Sequence, residues 1–296
     1  MVRGWPPITE PELLRRLALD DAAFRAQGPR MASIWGSREL QPADLERALG
    51  YPWERPASSY VLRGDRVEQL DEMDPDVRAK TVGGFTESRY PLLAYGGNGA
   101  PSWLQTKFAH FDDPADRSAL VLAGELHDFD VGVAAVVSPF GYMPATLFAS
   151  PGTAVRASIV WTTERQATQL TWSEVPYRLV RLDEARFVSS EAGVEVEQIF
   201  AFLHRVGCFC PEGSPVALAA VPAVNRTATA LSEHQLLDIA ATLMLTEGST
   251  AEDLVRAVFH DASHIATRAM ETILLSAQHL EGGWTPFPTA AGRSPT

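Results

Sequence analysis

The sequence predicts an α+β protein in which a β-rich middle is flanked by helical segments. Short apolar, β-branched stretches recur between about residues 89 and 225, and turn residues separate them. Within that region, helical character is confined to two intervals, Ser102 to Phe111 and Thr163 to Trp172. Many closely spaced strands with few helices favour a β-barrel or a mostly antiparallel α+β domain over a doubly wound sheet.

Differences in composition and in the spacing of apolar residues divide the chain into four segments. We expect residues 1–88 to be a helical N-terminal extension and residues 89–227 to be the β-rich domain. Residues 228–281 are predicted to form C-terminal helices. Residues 282–296 are rich in Gly, Pro, Ser and Thr, which predicts a flexible tail.

Helix signals in the N-terminal extension are local. Thr9 and Glu12 make a capping box ahead of an apolar helical face. A second short helix is predicted from Pro42 to Leu49, where Gly50 would end it. The extension is therefore predicted to be a set of short helices that precede the β-rich domain.

The β-rich domain carries eight predicted strands. Their residues are Tyr90–Tyr95, Ala119–Ala123, Phe129–Val137, Ala145–Phe148, Val155–Trp161, Tyr177–Leu182, Val194–Leu203 and Val216–Val221. The clearest turn signal is Ser150-Pro151-Gly152, which we expect to connect two of these strands.

The C-terminal segment opens with two further capping boxes. Ser232 pairs with Gln235 and Ser249 pairs with Glu252, each ahead of an apolar helical face. The two histidines of His260-Asp261-Ala262-Ser263-His264 lie four residues apart on a predicted helix. Because the sequence offers no evident third ligand, a solvated helix face is favoured over a metal site.

The composition bears on partners and location. The 296 residues carry a formal net charge of −12, so we expect neither a nucleic-acid nor an anionic-membrane partner. Two of the 25 basic residues are lysines, Lys80 and Lys107, and this bias alone predicts no function. The start lacks the pattern of a signal peptide, and the apolar runs are too short for a membrane span. Cys208 and Cys210 have a spacing that seldom suits a disulfide, and one pair of cysteines does not make a zinc site, so a cytoplasmic setting is the simplest interpretation. We expect no metal or other cofactor.

One glycine-rich segment has the character of a ligand-binding turn. Leu92 to Asn98 is an apolar strand that runs into two glycines ahead of a predicted helix. Glycines permit positive φ and close approach of a ligand, and the N–H groups of such a turn can hold a carboxylate. Taken alone, the segment is more often a plain turn.

Further motifs follow that turn in a fixed order. They are Pro144-Ala145-Thr146, Ser150-Pro151-Gly152, Val155, the strand Ile159-Val160-Trp161, the helix from Thr163, Glu174, Tyr177 and the strand Pro215 to Ala220. Together with Tyr95-Gly96-Gly97-Asn98, in the place of a Tyr-Gly-Ser-Asn fingerprint, this ordered set resembles the γ-glutamylcyclotransferase-like family. The resemblance covers roughly residues 90 to 225.

The resemblance implies a mostly antiparallel β-barrel and an enzyme that needs no cofactor. Such an enzyme, a lyase or acyltransferase, cyclises a γ-glutamyl amide to 5-oxoproline and releases an amine. By this resemblance Glu174 is the catalytic general acid/base. The loop Tyr95, Gly96, Gly97 and Asn98 would bind the α-carboxylate and amine of the substrate, and Tyr177 would line the pocket. One carboxylate can serve both proton transfers of this intramolecular reaction.

Alternative interpretations stay open at this point. Gly97 stands where the family usually has Ser, which removes a hydroxyl and adds backbone freedom. Glu174 could be a solvated acid at a helix end, and Tyr177 a core aromatic of a strand. The alternative functions are a non-catalytic barrel that binds a metabolite, a barrel that binds a protein through its helical extensions, and a related amide hydrolase or acyltransferase.

Overall fold

The computed structural model describes residues 36–183, 185–191, 194, 196 and 198–286. These residues include seven α-helices: α1 Pro42–Leu49, α2 Pro75–Thr86, α3 Pro101–Phe108, α4 Glu164–Ser173, α5 Glu233–Met244, α6 Ala251–His260 and α7 Ala262–Glu271. They also include twelve strands: β1 Tyr60–Arg63, β2 Arg66–Gln69, β3 Tyr90–Ala94, β4 Ser118–Val133, β5 Ala145–Thr162, β6 Tyr177–Leu182, β7 Phe187–Ser189, β8 Ile199–His204, β9 Ala217–Leu218, β10 Ala223–Val224, β11 Ala230–Leu231 and β12 Trp284–Pro286. The predicted capping box of Thr9 and Glu12 lies outside the described residues.

All twelve described strands belong to one mostly antiparallel sheet. Its longest path of paired strands runs β11-β9-β4-β5-β3-β8-β6-β12. Of the remaining strands, β1 and β7 pair with β4, β10 pairs with β5, and β2 pairs with β1. The predicted α+β class is confirmed, but the described strands do not close into a barrel. Closure needs a row of hydrogen bonds between the two edge strands. Here the edges are the very short β11 and β12, which pair only with β9 and β6 among the described strands.

The centre of the sheet is a long antiparallel ribbon of β4 and β5. Its register shifts between His127 and Phe129, where Asp128 has φ +64° and accepts a hydrogen bond from the Gly152 N–H at 2.8 Å. Ser150-Pro151-Gly152 therefore does not separate two strands. The extra residues are accommodated as a bulge, which bends the ribbon without ending either strand.

The N-terminal extension contributes strands as well as helices. Helix α1 has the predicted bounds and ends at Gly50. Residues 60–69 instead form a hairpin, in which β1 pairs with both β2 and β4. The prediction of a helical extension is wrong for these residues, because the buried run from Tyr60 to Leu62 extends the sheet beside β4.

The C-terminal helices follow the sequence signals with small shifts. The capping box of Ser232 and Gln235 is confirmed, whereas the second box is formed one residue later, by Thr250 with Asp253. The predicted flexible tail begins in the sheet, since Trp284 to Pro286 pair with β6. Residues 287–296 lie outside the described part of the chain.

The two histidines of the C-terminal segment lie on different helices. Helix α6 ends at His260, and Asp261 caps the start of α7, which carries His264. The expected single helical face is therefore interrupted. Within the described residues, no cluster of three His, Cys, Asp or Glu side chains is arranged to hold a metal ion. No described helix is long and apolar enough to cross a bilayer.

Both faces of the sheet are covered, and successive residues of a strand point to opposite faces. Leu93 belongs to the larger apolar cluster, which includes Leu236 and Val255 of the C-terminal helices. Leu92 belongs to the second cluster, with Leu104 of α3 and Leu170 of α4. Helices α3 and α4 therefore lie on the same side of β3, which positions the residues described next.

Candidate functional site

The glycine-rich segment leaves β3 and enters α3 through one 3-10 turn, Gly97–Gly99. The turn closes through hydrogen bonds from Gly99 N–H to Gly96 O at 3.2 Å and from Ala100 N–H to Gly97 O at 2.9 Å. No described residue accepts a hydrogen bond from the N–H groups of Gly96, Gly97 or Asn98. Successive N–H groups of this kind can hold an anion.

The Glu174 side chain meets this loop from the end of α4. Its Oε1 accepts hydrogen bonds from Asn98 Nδ2 at 3.1 Å and from Lys107 Nζ at 2.8 Å. Lys107 Nζ also donates to Asn98 Oδ1 at 2.7 Å. The three side chains form a closed triangle that joins the loop, α3 and α4, and we call it the Glu174 triangle.

Lys107 is the most deeply buried member of the triangle. Its side chain is 0% exposed, whereas the Glu174 side chain is 17% exposed. Burial lowers the pKa of Lys107, and the neighbouring Glu174 carboxylate partly offsets that effect by raising it. The Trp103 ring centroid lies 5.5 Å from Nζ. A buried ammonium is tolerated here because a carboxylate and an amide oxygen replace its water.

Two tyrosines connect the site to β5 and β8. The Tyr177 hydroxyl donates to Ala145 O at 2.8 Å, and the Tyr95 hydroxyl donates to Phe202 O. Burial raises the pKa of both phenols well above the ordinary value, and the neighbouring Glu174 carboxylate adds to that rise. Both hydroxyls therefore keep their protons, and those protons are committed to backbone carbonyls. The hydroxyl proton of Tyr177 therefore joins β6 to β5, and its ring packs against Phe202 and His204.

Trp53 packs directly on Gly97. A Cβ at residue 97 would lie 2.6 Å from Cζ3 of the indole ring. The ring is held by a hydrogen bond from Nε1 to Arg47 O at 3.0 Å and by its aromatic neighbours Tyr51, Trp103 and Tyr142. Gly97 does not have positive φ. Glycine at this position thus has a steric reason, because Trp53 occupies the space that a side chain would need.

The rest of the same segment also covers the loop. A Cβ at Gly96 would lie 2.7 Å from the Tyr51 hydroxyl oxygen, so this glycine too is required by close approach and not by its φ of −121°. Arg55 donates from Nη1 to Tyr95 O at 3.0 Å. Tyr51 to Arg55 therefore form a cover over the loop, and we call these residues the aromatic cover.

The sequence predicted part of this arrangement. Glu174 and Asn98 are brought together in space from positions 76 residues apart, beside the two glycines. Lys107 and Trp53 were missed. The only sequence signal for Lys107 is the scarcity of lysine, since one of two lysines in the chain is the fully buried partner of Glu174. Trp53 gives no signal, because its contact with Gly97 depends on the path of the extension.

No family model matches the chain, and no curated protein or solved structure does. The resemblance to γ-glutamylcyclotransferase-like proteins therefore depends on the ordered motifs alone. The geometry adds a carboxylate beside a glycine-rich loop with three N–H groups that no described residue engages. A site of this composition can take a proton from a cationic group while it holds an anionic one.

Proposed function

We propose that this chain is a γ-glutamylcyclotransferase-like enzyme that converts a γ-glutamyl amide to 5-oxoproline and a free amine. The supporting observation is the 3.1 Å hydrogen bond between Glu174 Oε1 and Asn98 Nδ2, which keeps the carboxylate at the glycine-rich loop. The general acid/base is Glu174. The N–H groups of Gly96 and Gly97 receive the substrate's α-carboxylate, and no cofactor takes part.

The reaction balances with one carboxylate. Glu174 takes a proton from the substrate's α-ammonium, and the resulting amine attacks the γ-carbonyl carbon to form the ring C–N bond. The bond from that carbon to the departing amine then breaks, and Glu174 gives its proton to the departing nitrogen. The second proton of the ring nitrogen passes through the same carboxylate to the departing amine, so the products are a neutral lactam and an ammonium. Holding the substrate folded back supplies much of the rate, because the attack is intramolecular. Proton transfer by a placed group adds about 10²–10⁴-fold.

A protein that binds a metabolite without turnover is the second candidate, and the aromatic cover favours it. A Cβ at residue 97 would lie 2.6 Å from the Trp53 ring, so the indole covers the loop at this residue. A ligand at Gly97 has to displace the indole ring or fit beside it. A protein that only binds a metabolite would still use the loop to hold its ligand, but it would not need Glu174 to transfer a proton.

Turnover of a substrate panel separates the two candidates. The purified protein is incubated with γ-glutamyl amino acids and γ-glutamyl alkylamines, and 5-oxoproline is measured by mass spectrometry. We expect release by the wild type and by Glu125→Gln, a control at an acid of β4 outside the site. Glu174→Gln should be at least about 10²-fold slower.

Two results would change the assignment. Undiminished release by Glu174→Gln removes this residue from the mechanism. Saturable binding without 5-oxoproline from any member of the panel favours the binding protein. Melting curves of the variants check that a loss of release does not reflect unfolding.

A further inference from the structure

The two oxygens of the Glu174 carboxylate have different surroundings. Oε1 accepts from both Lys107 and Asn98. Oε2 accepts no hydrogen bond from the described residues. It is also not one of the polar atoms that are buried without a partner, so it is accessible to solvent. An oxygen that already accepts two hydrogen bonds, one from a cation, is the poorer proton acceptor of the two. The exposed part of the side chain therefore offers Oε2 to a ligand.

We propose that Lys107 is a positioning residue, whose ammonium pins Oε1 and turns Oε2 toward the substrate as the proton acceptor. This inference rests on the proposed function, because it says which oxygen carries out the proton transfer. Lys107 touches no reacting atom. It acts through Glu174, and Asn98 completes the hold by donating to the same oxygen.

A lysine at residue 107 fits a positioning role better than a role in packing the core. Burying an ammonium carries a large desolvation penalty, and an apolar residue of similar volume would often serve stability as well or better. Arginine supplies nearly all other basic residues of the chain, and the remaining lysine, Lys80, is exposed. The planar guanidinium has five donors in a fixed fork, whereas Asn98 Oδ1 and Glu174 Oε1 converge on one compact nitrogen.

The same triangle changes the role of Asn98. Its Oδ1 accepts from Lys107, and its Nδ2 donates to Glu174. The side chain predicted to bind the substrate is therefore engaged within the protein. What Asn98 offers a ligand is its main-chain N–H, which belongs to the same row as those of Gly96 and Gly97.

Chemical rescue tests the positioning role. Lys107→Ala removes the ammonium and leaves a cavity that a small primary amine can enter. We expect kcat for 5-oxoproline release to fall about 10²-fold, since a 1 Å misplacement of a catalytic group has an effect of that order, while KM stays within a few-fold. Added propylamine should restore at least about a tenth of the lost rate. Propanol, of similar shape but uncharged, should not, and Lys80→Ala should behave as wild type.

Several results would overturn the inference while leaving the proposed function in place. These are an unchanged kcat in Lys107→Ala, a loss confined to KM, or equal rescue by propanol and propylamine. If Lys107→Ala does not fold, Lys107→Met keeps the apolar volume and should show the same loss of kcat without rescue. Wild-type activity in Lys107→Met would equally overturn the inference.

Crystal structures show the position of the Glu174 carboxylate directly, without a measurement of turnover. In Lys107→Ala we expect the carboxylate to rotate away from Asn98, and in crystals soaked with propylamine to return to the wild-type position. A carboxylate that keeps its 3.1 Å hydrogen bond to Asn98 in the empty variant overturns the inference. If the wild type releases no 5-oxoproline, the proposed function fails, and with it the role of Oε2 as proton acceptor. A displaced carboxylate in Lys107→Ala then shows only that Lys107 holds the Glu174 side chain in place.

Discussion

Replacing Gly97 by Ser should destabilise this protein. The new Cβ would lie 2.6 Å from Cζ3 and 3.1 Å from Cε3 of Trp53, inside van der Waals contact. The indole cannot simply retreat, because Nε1 donates to Arg47 O at 3.0 Å and the ring lies 5.0 Å from that of Trp103. Overpacking of this kind costs about 1–3 kcal/mol.

A double-mutant cycle, read by urea unfolding and thermal melting, measures this contact. Trp53→Ala removes the ring, so Gly97→Ser should then cost almost nothing, and the coupling energy should be about 1–3 kcal/mol. A loss of about 2 kcal/mol should lower the melting temperature by roughly 4–8 °C. Gly84→Ser is the matched control, because a Cβ at this exposed glycine of α2 meets nothing within 4 Å.

Two outcomes would refute the steric account. Gly97→Ser could melt together with the wild type and with Gly84→Ser, which would mean that the indole ring does not fill the space. Alternatively, the losses of Gly97→Ser and Trp53→Ala could add without coupling. The glycine would then be needed for a reason other than the aromatic cover.

Three further predictions concern stability. Burial lowers the pKa of His204 from 6.5 to about 3. Between these two pH values the imidazole binds a proton in the unfolded chain but not in the folded protein. Stability should therefore fall as the pH drops from about 6.5 toward 3, and urea unfolding at several pH values should show a shallower fall for His204→Phe. Asp130→Ala should lower the free energy of unfolding by about 3 kcal/mol in the same assay. Asp130 is fully buried and accepts two hydrogen bonds from Arg226, so the variant leaves that guanidinium without its carboxylate. Ser232→Ala removes the cap from the Gln235 N–H and should lower the free energy of unfolding by about 1 kcal/mol, with little pH dependence.

Local signals in the sequence set several elements correctly. Helix α4 begins after Thr163, whose side chain accepts from the Gln166 N–H, and helix α1 begins at Pro42. Strand β6 has the predicted bounds, Tyr177–Leu182. In the two helices neighbouring residues satisfy hydrogen bonds of the first turn, and the buried residues of β6 are interrupted only by its two arginines. The information therefore lies within a few positions of the chain.

Tertiary contacts decided what the sequence did not. Ser150-Pro151-Gly152 has the composition of a turn, yet β5 continues through it because Asp128 on the facing strand binds the Gly152 N–H. The hairpin at residues 60–69 forms because β4 provides a partner for a short apolar run that is ambiguous by itself. Lys107 joins Glu174 only after α3 and α4 pack on the same side of β3.

The most direct test of the central claim is a crystal structure of Glu174→Gln with a γ-glutamyl amine bound. We predict that the α-carboxylate of the ligand accepts from the N–H groups of Gly96 and Gly97. Its α-amine should lie within hydrogen-bond distance of residue 174, on the side away from Lys107. A ligand bound elsewhere, or turned with its α-amine away from residue 174, would contradict the claim that this loop and this carboxylate form one catalytic site.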